Sequence, residues 1–145
     1  MSQTNVKAGP ISVICGADLS AAADRLAVLS HVDGTAQMAL PDSLTALALY
    51  LILEGAVAGE RGSFQPLPAD RNVRVPLVGT CNPGDRLVLA DPAEEGQSGK
   101  VTVLPEAAGT YRIVAIAEEK GIDGQLVLMR SVHLGLITVE EEPDA

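Results

Sequence analysis

Two stretches of this chain run through the same series of features, and a chain that repeats itself must fold into something that repeats. The first is ADRLAVLSHVDGTAQMALP, from Ala23 to Pro41, and the second is GDRLVLADPAEEGQSGKVTVLP, from Gly84 to Pro105. Each opens on Asp-Arg-Leu and a short apolar run, crosses a polar loop containing glycine, and ends in Leu-Pro. The likeness continues downstream. LALYLILEGAVAGERGSFQPL, ending at Leu67, lies over YRIVAIAEEKGIDGQLVLMRS, starting at Tyr111, with Glu54 on Glu119 and Gly59 on Gly124. The offset drifts along the repeat, so the length differences belong in loops. A duplicated unit is the reading that accounts for the shared order.

The second copy shows what the unit is. RLVLA and KVTVL are β-rich runs around the turn formers DPAEEGQSG, and YRIVAIAEE and QLVLMRSV flank KGIDG. Punctuation within about ten residues of every run is the rhythm of an all-β barrel or sandwich. The fold class expected is therefore an antiparallel β-barrel or sandwich of two similar hairpin-rich lobes. The first lobe is placed at residues 11–78 and the second at 79–133, with one merged barrel and two separate ones both open. An extended N-terminal arm, 1–10, and a flexible acidic C-terminal tail, 134–145, flank them. The segment LTALALYLILEG, from Leu44 to Gly55, is the hardest to assign. Its leucines fit a helix over Thr45–Leu53, but its place in the repeat makes it a central strand covered on both faces.

Composition narrows the functions. The 145 residues suffice for one domain, burying about 68–70% of the unfolded surface without a metal or disulfide. A net charge of −9, with Tyr50, Phe64 and Tyr111 the only aromatics, speaks against nucleic acid, which needs clustered cations and stacking platforms. The run from Leu44 to Leu53 is about half the ~20 residues of a spanning helix. The start, MSQTNVKAGP, is polar and reads as no export leader. Cys15 and Cys81 are expected to be reduced, structural thiols, with a disulfide the alternative outside a cell.

Catalytic patterns are missing. His31 and His133 stand about a hundred residues apart with no ligand spacing, and neither cysteine has the flanking signature of a nucleophile. Glu94-Glu95, Glu118-Glu119 and Glu140 to Glu142 read as solvated charge, because adjacent strand residues point to opposite faces. No phosphate-binding glycine motif occurs. No enzyme, cofactor or metal is expected. One carrier-like feature is Lys120 in AEEKGID, at a hairpin tip reminiscent of the modified lysine of lipoyl and biotinyl domains. In those domains the lysine joins the two halves, whereas Lys120 lies inside the second. Arg71 and Arg74, between the copies, are candidate contacts for an acidic partner.

The second half, GTCNPGDRLVLADP followed by GKVTVLPEAAGTYRIVAIAEEKGIDGQLVLMRSV, resembles the capsid cement, or head decoration, proteins of tailed bacteriophages. Gly84-Asp85-Arg86-Leu87-Val88 matches their first strand. Val114 to Glu118, followed by Asp123-Gly124-Gln125-Leu126-Val127, matches their hairpin, although Val114-Ala115-Ile116 replaces the family's usual Gly-Val-Ala. The likeness extends more loosely over Ile11 to Val132. It implies a non-enzymatic virion protein, made in the host cytoplasm and bound as a homotrimer to the major capsid protein on the capsid exterior. There it would brace the shell against packaged DNA. The arm, through Asn5, Val6, Lys7, Pro10 and Ile11, would contact the capsid or a neighbouring copy. A small virion module for a receptor or carbohydrate is the alternative, though so few aromatics provide poorly for sugar stacking.

Overall fold

A computed structural model describes residues 9–132 and 134–141; Asn5, Val6, Lys7 and His133 lie outside the described residues. The chain is all β, and no helix occurs among the described residues. Strands β1 (Ile11–Cys15), β2 (Leu26–Val32), β3 (Thr35–Ala39), β4 (Tyr50–Glu54) and β5 (Arg61–Pro66) close a barrel in the order β1-β3-β2-β4-β5. The β1–β3 contact is parallel and the rest are antiparallel. Strands β6 (Asn72–Pro76), β7 (Arg86–Leu89), β8 (Val101–Val103), β9 (Gly109–Ala117) and β10 (Leu126–Ser131) follow in the order β6-β10-β9-β7-β8. Leu77, just past β6, makes a parallel bridge to Val101. That bridge completes a ring with the connectivity of the first barrel.

The duplication is visible bond by bond. Cys15 N–H donates to the Glu60 carbonyl at 2.8 Å, as Leu77 N–H does to that of Gln125 at 2.9 Å. Gly59 N–H reaches Cys15 as Gly124 N–H reaches Leu77, and both glycines hold positive φ, 87° and 84°. The match of Gly59 with Gly124 read from the sequence is thus the structural one. The Asp-Arg-Leu match is not. Ile52 N–H donates to Arg25 where Ala117 N–H donates to Asp85, so Arg25 corresponds to Asp85 and Leu26 to Arg86. A one-residue slip sends every side chain to the opposite face. Leu26 and Arg86 thus share the outer face, where Leu26 is buried against the second barrel and Arg86 is exposed. The shared tripeptide is a coincidence of composition one residue out of register.

Three expectations need correction. Asn72–Pro76, placed with the first lobe, pairs along its whole length with β10 and belongs to the second sheet. Within the acidic tail, Leu136–Val139 forms a further strand, β11, on the outer edge of β9. It covers Tyr111 and Ile113 with Ile137 and Val139, burial that a solvated tail could not provide. The strand expected over LALYLILEG, from Leu47, begins only at Tyr50. Before it, Ala48 N–H bonds to Ala46 and Leu49 N–H to Leu47 in tight three-residue turns, and the Leu44 carbonyl accepts from Arg112 N–H of β9. The segment is apolar because it lies across the second barrel, with Ala48 fully buried between the two.

The interiors follow from strand alternation. Val13, Cys15, Leu19, Ala27, Met38, Ile52 and Phe64 fill the first barrel. Their counterparts Val75, Leu77, Cys81, Leu87, Val101, Ala117 and Met129 fill the second. Leu26, Ala48, Leu51 and Leu67, on the outside of the first barrel, join that second cluster. Two barrels therefore share one continuous junction.

Candidate functional site

The residues singled out by sequence do not converge. Ile11 is no part of a free arm: it pairs with Phe64 in the β1–β5 ladder, and only Gly9 and Pro10 of the described arm stand exposed before it. Arg74 is engaged within the fold. Its Nη1 donates to Glu119 Oε1 at 2.7 Å and to the Leu126 carbonyl at 2.9 Å. Arg71 lies 3.7 Å from Asp70 on an exposed loop. Both expected cationic contacts are exposed, and each is held in an ion pair.

Glu119 is the best-anchored charge. The Leu128 N–H, at 3.0 Å, holds its carboxyl below the usual carboxylate range, partial burial works the other way, and Arg74 and Gln125 add to the lowering. Its neighbour Glu118 pairs instead with Arg130 at 3.1 Å. The two carboxylates serve separate ion pairs, as adjacent residues in extended backbone should. Lys120 is exposed but does not form the hairpin tip. Gly121 is bridged to Cys81 through reciprocal N–H to C=O bonds of 3.0 and 3.1 Å, and the turn closed by Gln125 N–H on the Ile122 carbonyl puts Asp123 and Gly124 at the apex.

Cys15 and Cys81 are free thiols in different clusters. Burial pushes the Cys81 thiol up, and its Sγ donates to the Glu119 carbonyl at 3.6 Å. A raised thiol is a poor nucleophile. Among the described residues no three His, Cys, Asp or Glu gather closely enough to hold a metal ion. At the junction a cavity of about 210 Å³ is lined by Leu47, Ala48, Leu67, Val114, Ser131 and the Arg112 side chain. Arg112 is oriented there by two bonds to the Thr45 carbonyl, at 2.9 and 3.2 Å.

What the sequence reading passed over is the β2–β3 hairpin. In place of the polar, glycine-containing loop expected in the first repeat, two strands run unbroken to a two-residue turn at Asp33-Gly34. Asp-Gly between alternating residues is the standard signal for such a turn. The apolar and polar positions alternate weakly because the ribbon leaves the barrel and is exposed on both faces.

The fold defines a class of protein: two five-stranded β-barrels of one connectivity, joined in tandem through a common apolar junction. The chain is similar in this respect to the crystal structure of the head fiber gp8.5 N base in bacteriophage phi29. The match has a TM-score of 0.64 and 16% identity, and covers 92% of this chain and 98% of that one. At that identity the likeness establishes a shared fold. No protein-family model and no curated protein sequence matches the chain.

Proposed function

We propose that this is a non-enzymatic structural protein of a phage virion, binding the exterior of the mature head through the major capsid protein and stabilising it. The observation that carries the reading is the near full-length match of the tandem barrel to the base of a head fiber. The resemblance of the second half to head decoration proteins points the same way from sequence. Two rigid barrels held by one junction suit a part that adds binding free energy only to the assembled shell. Many weak contacts on a symmetric lattice then act together. Trimers on the head, as in the decoration family, are part of this proposal.

The test is to mix the purified protein with expanded heads that lack it. Saturable binding and greater resistance to heat or osmotic shock are expected; heads that neither bind nor gain resistance would refute the proposal. The arm is tested separately. Deleting Ser2–Pro10 should leave the barrel intact, since β1 starts at Ile11, and weaken binding. Unchanged affinity would remove the arm from the contact. The match to a fiber base favours a second form of the same reading, in which the barrels anchor a projecting appendage. Micrographs of decorated heads separate a fibre from a flush subunit.

A further inference from the structure

The first barrel closes, but the β2–β3 ribbon runs on past it and leaves one edge of β2 free. β2 pairs with β4 only at Leu26 and Ala27, because the chain before Tyr50 turns away to cover the second barrel. From Val28 to Val32, β2 has β3 as its only strand partner among the described residues. Asp33 and Gly34 close the ribbon with φ of 49° and 80°, both left-handed, as a type I′ turn requires. Such a turn makes Val32 and Thr35 a hydrogen-bonded pair, so Ser30 and Val28 also direct N–H and C=O to β3. Leu29 and His31 direct theirs outward, away from the ribbon. In the second barrel the residue matching Leu29 is Leu89, which is 1% exposed; Leu29 itself is 41% exposed.

Exposed edges are normally blunted by lysine, proline, an inward charge or a bulge. This one reads Val-Leu-Ser-His-Val and carries none of them. We propose that it docks on the same edge of a second copy of the chain, β2 antiparallel to β2 about a two-fold axis at Ser30. That register puts Leu29 of each copy opposite His31 of the other, which satisfies all four outward backbone groups on each side. Val28 then faces Val32 across the axis, and Ser30 faces its twin, so the edge is self-complementary as an isologous contact demands. Charge favours the same choice. A chain of net charge −9 repels its copies over most of its surface, and these five residues contain no carboxylate. The inference concerns the free chain in solution and does not depend on head binding or on the trimers proposed there; a trimer in solution would overturn it.

Light scattering across a concentration series is the first test, with an even-numbered assembly expected. Leu29→Pro removes one outward N–H and spares the β3 ladder, so it should halve the mass. Leu29→Lys should do the same without touching the backbone, which guards against a folding defect. Ser30→Cys reads the register directly. At a close non-hydrogen-bonded pair the two Cα atoms lie about 4.5 Å apart, within disulfide range. Mild oxidation should therefore link two chains through Cys at 30, and should not when the cysteine is placed by Val32→Cys. A wild-type monomer at every concentration, an assembly whose mass survives both Leu29 variants, or cross-linking by Val32→Cys in place of Ser30→Cys would each overturn the proposal. Head binding by the wild type is scored in its own assay, so the two proposals fail separately.

Discussion

Gly55 has no room for a side chain. A Cβ there would stand 1.8 Å from the Leu19 carbonyl oxygen, a backbone atom held in place by the Leu19 N–H bond to Ala56. Gly55→Ala is expected to cost about 3 kcal/mol, the upper end for overpacking. Gly59→Ala meets nothing within 4 Å and should lose only about 1–2 kcal/mol for its left-handed φ. Urea unfolding of the two variants tests the order. Glu119 gives a pH dependence with a definite sign. Its folded carboxyl is depressed by the Leu128 N–H first, against the opposing effect of partial burial, with help from Arg74. The stabilisation it confers is therefore complete above the unfolded value of about 4.3 and is lost as pH falls through the lower, folded value. Glu119→Gln should be less stable than wild type at neutral pH and lose less on acidification. Equal slopes for the two proteins below about pH 4.3 would contradict this.

Elements were readable where turn chemistry and alternation spoke together. YRIVAIA and QLVLMRS appear as β9 and β10 around a glycine turn, and RLVL as β7. LTALALYLILEG was half readable. Its end is β4, as the repeat required, but Leu44 to Leu49 is a covering segment whose apolar character comes from the other barrel. Alternation records only that a residue is buried, not which body buries it. β11 escaped notice for a related reason. Leu136–Val139 is short, half-exposed and followed by glutamates, so its local pattern matches a tail. Its pairing with Gly109–Arg112 is a long-range bond. A chain ending at Gly135 should keep both barrels and expose Tyr111 and Ile113. Faster amide exchange over residues 109–112 and increased binding of a hydrophobic dye would show it; protection equal to wild type would count against a packing role for β11.

At the scale of the whole molecule, the shared cluster ties the barrels energetically. Leu26, Leu51 and Leu67 of the first half pack with Val75, Leu87 and Met129 of the second, so calorimetry should show one cooperative transition. Ala48→Glu would bury an unpaired charge at the junction. It should split the melt into two transitions, and a wild type already melting in two steps would contradict the coupling. The sequence by itself determined the β class and the repeated order of strands. Both follow from local physics: period-two burial, and turns that demand glycine, asparagine or proline. It also placed Gly59 and Gly124 correctly on each other. Only the tertiary structure decided that there are two barrels, that Asn72–Pro76 belongs to the second, and that Arg74 pairs with Glu119 on the surface. It alone showed the open edge of β2. Each of these depends on which distant strand supplies the next hydrogen bond, and one-dimensional periodicity carries no record of the partner.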